Sequence, residues 1–332
     1  MVQILLFKQK ESAATPLLRC LVLFITLMKA TLLTAKPLVK KALQILAQEN
    51  VPIKSWPAAI QLDFRARAER TDLVRMEHKG PLRVQRPFYP EGDCCHVCLL
   101  HPPGGLVAGD TLRIAVNLQV GSHALLTTTS AGKVYRSDLA KTAQTQGVLA
   151  EVGDGACLEW LPQETIVFEG AEAVLSNVFN LQGEAKLCAW DIVVLGRRAS
   201  GEGFNHGRCL QKIDIRRNGI PILAERTDYV GGSNMLDEPW GMASASVSGT
   251  LFATLVCDQQ RMDDLRAGLA ALAKDSNWLA AEWGLSQKRD IFLARFLGDS
   301  PEQCRKGFIW LWSQLRPLLN SREACPPRIW NT

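Results

Sequence analysis

Cys94-Cys95-His96-Val97-Cys98, followed closely by His101, is the densest run of metal-capable side chains in this 332-residue sequence. Thiolate and imidazole are the donors that soft and borderline metal ions prefer. Alternate residues of a strand share a face, which would put Cys94, His96 and Cys98 on one side and Cys95 on the other. A fourth ligand would have to come from elsewhere, because no second Cys-x-x-Cys pair completes a zinc site. The competing reading is an apolar strand that happens to be rich in cysteine. Cys157, Cys188, Cys209, Cys257, Cys304 and Cys325 are scattered singly, mostly in apolar runs such as Lys186-Leu187-Cys188-Ala189-Trp190. That usage belongs to a reducing compartment, not to a disulfide framework.

Enzyme signatures are missing. The sequence has no phosphate-binding Gly-x-x-x-x-Gly-Lys loop and no dinucleotide glycine pattern opening a helix. It has no Gly-x-Ser-x-Gly elbow, and none of its five histidines has metalloprotease spacing. The expectation is a non-catalytic protein. The formal net charge of +5 is spread among interleaved acids and bases, with no basic stripe for nucleic acid.

Several carboxylates sit at sharply shaped places. His101-Pro-Pro-Gly-Gly-Leu-Val-Ala-Gly-Asp110 is a rigid loop ending in an acid, and Asp191 follows Trp190 at the start of an apolar run. The elements that position them read as β structure. From Ile60 to Val256 short runs such as Leu112–Leu118, Ala124–Thr129 and Asp191–Leu195 are separated by Gly, Pro and Asp. The segments beginning at Leu118, Glu151 and Leu181 resemble one another, each a strand end, a glycine turn and a new strand. Gly121, Gly153 and Gly183 mark those turns at roughly thirty-residue intervals, within the range of repeat architectures. The predicted fold is mostly β, with a β-solenoid-like core; a β-sandwich is the alternative. A small C-terminal α+β portion carries about two helices. One is predicted from Gln259 to about Trp283 on its leucine spacing, and a strand from Asp290 to Phe296 follows it. Ser300-Pro301-Glu302-Gln303 then caps a second helix that should stop near Pro317.

Residues 1–55 differ in composition from the rest and read as a leader. Residues 56–332 form the domain, divided into a β-rich core (56–257) and a helical tail (258–332). The basic residues Lys8, Lys10 and Arg19 precede the apolar stretch Cys20–Met28, which outlines a secretory signal. Lys29 ends the stretch short of the roughly 20 residues needed to span a bilayer. The preferred reading is a disordered or helical leader on a cytoplasmic protein, with Met28 as a candidate start, and no membrane role.

Long irregular motifs then point further. Gly80-Pro-Leu-Arg-Val-Gln-Arg-Pro-Phe-Tyr-Pro-Glu-Gly92, Leu99-Leu-His-Pro-Pro-Gly-Gly105, Leu158-Glu-Trp-Leu-Pro-Gln-Glu164, Trp190-Asp191 and Pro327-Arg-Ile-Trp-Asn-Thr332 stand in fixed order. Together they resemble the urease accessory protein D family, called H in some species, from about Ile60 to the end. The resemblance implies a scaffold that binds the F-type accessory protein, which holds the nickel-carrying G-type GTPase, and that docks on apo-urease. It also implies a polar internal channel for transient nickel(II), with no tightly bound cofactor. By motif match, Asp110, Asp191 and Glu225 correspond to family carboxylates on that route. Cys94 and Cys98 lie outside the family pattern, so Cys94, His96 and Cys98 form a separate candidate set. Two departures are local: Thr129-Ser130-Ala131-Gly132 precedes Lys133-Val-Tyr-Arg-Ser137, and Ala108-Gly109-Asp110 stands for the usual Gly-Gly-Asp. The rival readings are a stand-alone metal-binding or redox protein built on Cys94 to His101, and an exported or membrane-tethered β-protein suggested only by the leader.

Overall fold

The computed structural model describes residues 56–331, so the leader and its signal-like stretch lie outside the described residues. Period-two alternation shapes the first strands. In β1 (Pro57–Ala66) Ile60, Leu62 and Phe64 point inward, and β5 (Thr111–Leu118) alternates along its whole length. Between them lie β2 (Thr71–Lys79), β3 (Arg83–Val84) and β4 (Cys95–Leu100). Next come β6 (His123–Thr128), β7 (Gly132–Val134), β8 (Gln144–Val152), β9 (Cys157–Trp160), β10 (Thr165–Val167), β11 (Glu172–Leu181) and β12 (Lys186–Leu195). The chain continues through β13 (Arg208–Arg217), β14 (Ile220–Val230), the short helix α1 (Asn234–Asp237) and β15 (Val247–Ala253). Helix α2 (Gln259–Asp275), β16 (Glu282–Lys288), β17 (Ile291–Gly298) and helix α3 (Pro301–Asn320) complete it.

Two mixed sheets form. One runs β14-β13-β11-β8-β5-β1-β2, parallel from β13 to β1 with an antiparallel strand at each edge. The other runs β16-β17-β15-β12-β9-β6-β4-β3 and is parallel from β12 to β4, with β10 and β7 alongside. Parallel neighbours need crossover connections, so this is not a stack of hairpins. The chain supplies the crossovers by passing repeatedly from the first sheet to the second, as from β5 to β6, β8 to β9 and β11 to β12.

The three turns predicted from sequence make those passages, and they stack. Leu118 pairs with Val152, which pairs with Leu181; across the turn His123, Cys157 and Lys186 align the same way. Gly121 and Gly183 take positive φ, as expected. Gly153 does not. It is required because a Cβ there would meet Val120 N at 2.8 Å in the turn below. The positive φ of its own turn falls on Gly155.

Strand β12 is buried on both faces, with Leu187, Ala189 and Val193 in the core between the sheets. Cys188, Trp190 and Ile192 face a second core with Phe308, Leu311, Trp312 and Leu315 of α3. Side chains of that size contribute about 1.5–3 kcal/mol each when fully buried. Of the three tryptophans near the C-terminus, Trp312 is buried, and Trp330 packs between Trp190 and Trp312 at 5.6 Å from each.

The structure differs from expectation in three places, two of them in the helical tail. Helix α2 ends at Asp275, not near Trp283, because Trp283 belongs to β16 and packs edge-on against Phe296 and Phe308. Helix α3 is capped as predicted, Gln303 N donating to Ser300 Oγ at 3.2 Å, but it passes Pro317 and ends at Asn320. Proline forfeits one backbone bond there, while burial of Arg316 and Leu319 holds the last turn. Helix α1 and a 3-10 turn at Arg198–Ser200 interrupt the stretch expected to be wholly β.

Candidate functional site

Between the sheets lies a cavity of about 80 Å³ whose lining includes His101, Lys133, Gln163, Thr165, Asn177 and Asp191. Asp191 reaches it from the middle of β12. Asn177 Nδ2 of β11 and Gln211 Nε2 of β13 donate to its Oδ2 at 2.9 and 3.0 Å. Tyr229 Oη in turn donates to Gln211 Oε1 at 3.3 Å. Burial pushes the Asp191 carboxyl up to about 6, and the two amide bonds pull it only part of the way back. The carboxylate is thus held by neutral amides. A cation arriving in the cavity would supply the countercharge those amides do not.

Asp110 and Glu225 are placed differently. Asp110 precedes β5, and its two oxygens accept from Trp56 N at 3.1 Å and Val107 N at 3.0 Å, closing the glycine-rich loop. It is electrostatically coupled to His101, whose imidazole burial lowers and Asp110 partly restores. A neutral imidazole is the metal-binding form. Glu225, on β14, is paired with Arg295 of β17, joining the far strands of the two sheets. Neither Asp110 nor Glu225 is among the residues lining the cavity. The structure therefore brings Asp191 and His101 to one space, Asp110 to its border, and Glu225 to a separate ion pair.

The cysteine run is split by its strand. Cys95, Val97 and Leu99 enter the inter-sheet core, while Cys94 enters the second core. Burial raises the Cys94 thiol to about 12 and the Cys98 thiol to about 11, a poor setting for redox chemistry. Cys94 and His96 meet Glu91, but Cys98 joins no such group among the described residues. His101 has left the cluster for the cavity.

Around Cys94 is a buried polar centre that was not foreseen. Arg316 is fully buried, its Nε donating to Glu159 Oε2 at 3.0 Å and its Nη1 to Glu91 Oε2 at 2.8 Å. His123 Nε2 lies 2.7 Å from Glu159 Oε1, and His96 Nε2 lies 2.6 Å from Glu91 Oε1. Trp312 Nε1 donates to Glu159 Oε2 at 2.5 Å. Burial alone would raise Glu91, yet hydrogen bonds from His96 and Arg316 outweigh it and hold the carboxyl at about 2. Burial likewise opposes charge on His123, but its contacts with Cys157, Cys94 and Glu159 raise its pKa. Two signals could have disclosed this centre: Glu159 sits inside an apolar strand, and Arg316 falls four residues after Trp312 on the buried stripe of α3.

The site thus belongs to a fold of two sheets with a polar cavity between them and helices packed on one flank. Comparison with known proteins gives the class. The family described as UreD urease accessory protein matches residues 57–331. A urease accessory protein UreD of Saccharophagus degradans is 48% identical over 288 residues, covering 86% of this chain and 97% of its own length. Those of Nitrosococcus oceani and Dechloromonas aromatica are each 44% identical, covering 84% of this chain and 91% and 95% of their own lengths. The chain belongs to the UreD urease accessory protein family. It is a non-catalytic factor in urease maturation and nickel insertion. Among the described residues, no helix is long and apolar enough to cross a membrane.

Proposed function

We propose that this chain is the cytoplasmic scaffold joining the F-type accessory protein, with its G-type GTPase, to apo-urease, and that nickel(II) passes through its inter-sheet cavity. The stacked passages between the sheets are read as coils of a solenoid, a form that encloses an interior along its axis. Transfer needs weak sites, because an ion must leave each donor as readily as it arrives. The observation that carries the reading is Asp191, a buried carboxylate with no cationic partner among the described residues, hydrogen-bonded by Asn177 and Gln211. His101 is a second donor on the same space. Asp110 orients the loop at the border, and Glu225 marks the route only if Arg295 releases it.

The experiment is maturation of apo-urease with Asp191→Ala in place of the native chain. The variant should still co-purify with the F-type protein and with apo-urease, while urease nickel falls several-fold. Full nickel loading by a folded Asp191→Ala chain would contradict the cavity route.

A further inference from the structure

The donors gathered around Cys94 lie in the second core and play no part in the proposed nickel path. Two sets of three ligand atoms share this thiol: Glu91, Cys94 and His96, and Cys94, His123 and Glu159, the atoms of each set lying within 4.8 Å of one another. We infer that Cys94, His123 and Glu159 hold a borderline divalent ion of the zinc class, with Glu91 and His96 as adjoining donors.

Three observations carry this. The first is donor chemistry: one thiolate, one imidazole and one carboxylate suit a borderline ion and leave a fourth position for water. The second is an orphan. His96 is 1% exposed, yet its Nδ1 is buried without a hydrogen-bond partner. Unpaired buried polar atoms are uncommon in native proteins, and an ion or water usually accounts for them. Asn320 Oδ1 is a second such atom, on the residue whose Nδ2 lies 3.4 Å from His123 Nε2.

The third is charge. Glu91 and Glu159 are balanced by Arg316 and a protonated His123, and an M²⁺ ion bound by the Cys94 thiolate and a neutral His123 keeps that balance. On binding, Cys94 gives up its thiol proton and His123 its second ring proton, both to solvent. Arg316 and Trp312 then act as positioning residues, fixing Glu159 through bonds of 3.0 and 2.5 Å.

Burial gives this ion a different role from the cargo. Cys94 and Glu159 are 0% exposed, and Arg322 pairs with Asp93 at 2.6 Å beside the site. The ion is enclosed as α3 packs over it and exchanges slowly, which makes it a structural rivet between β6, β9 and the Glu91–Cys94 segment.

The test is independent of the cavity reading. The full chain is produced in cobalt-supplemented medium, desalted, and examined for the near-ultraviolet thiolate-to-cobalt charge-transfer band and for bound metal. One ion per chain and a clear band are expected, displaced by prolonged incubation with zinc. Asp191→Ala and Cys98→Ser should keep the band, while Cys94→Ser and His123→Gln should lose it with an unchanged far-ultraviolet circular dichroism spectrum. If Cys94→Ser does not fold, His123→Gln decides. A native chain without band or metal overturns the inference, as does a band that survives His123→Gln or disappears in Cys98→Ser.

Discussion

Asp191 and Arg316 are both buried, and the structure treats their charges in opposite ways. Arg316 is given two carboxylates; Asp191 is given only amides. An uncompensated buried charge is costly, so the cost at Asp191 should be visible in the pH dependence of stability. Its folded pKa of about 6 exceeds the unfolded value of 3.8, so the folded state holds the proton more tightly. The stabilisation is complete below about pH 4 and is lost as pH rises through about 6, a change of about 3 kcal/mol. Denaturant titrations of the native chain and Asp191→Asn should therefore diverge in favour of the variant by roughly that amount between pH 4 and pH 7. Parallel curves would show that Asp191 already has a countercharge.

At the scale of elements, the turns between strands hold the two sheets in register. Gly153 lies where a Cβ would press on Val120 N, Gln119 C and Leu118 O, all backbone atoms at 3.0 Å or less. Backbone cannot swing aside as a side chain can, so Gly153→Ala should cost about 1–3 kcal/mol, measured by chemical denaturation. Gly155, whose Cβ would meet nothing within 4 Å, takes a positive φ and should show a cost of conformational origin instead. The repeat of these turns was legible in sequence, since glycine between two apolar runs marks a change of direction whatever lies beyond. Which glycine answers to close approach and which to φ was not legible, because that depends on the neighbouring turn. The second helix was legible from its Ser-Pro-Glu-Gln start. Its end was not, because Arg316 and Leu319 hold the last turn from the tertiary side. Trp283 was misplaced for a related reason: its leucine-like spacing fits a helix, and only packing on Phe296 and Phe308 shows it to be a strand residue. The three acids taken from motif likeness are of unequal standing for the same physical reason. A carboxylate's role depends on its partners, and those partners lie on strands distant in sequence.

For the whole molecule, the central claim is that a divalent ion travels through the interior and not around it. The parallel middles of both sheets, joined by passages between them, leave the cavity enclosed by backbone on two sides. The proposed route can be obstructed from within. Asn177 points into the cavity beside Asp191, and Asn177→Phe would occupy much of its roughly 80 Å³ while removing one donor to the carboxylate. The decisive measurement is the nickel content of urease matured with Asn177→Phe as the sole source of this protein, the variant first being shown to be folded and assembled with its partners. We predict urease with its protein complement intact and its nickel strongly depleted. Urease carrying a full load of nickel behind a blocked cavity would contradict the account.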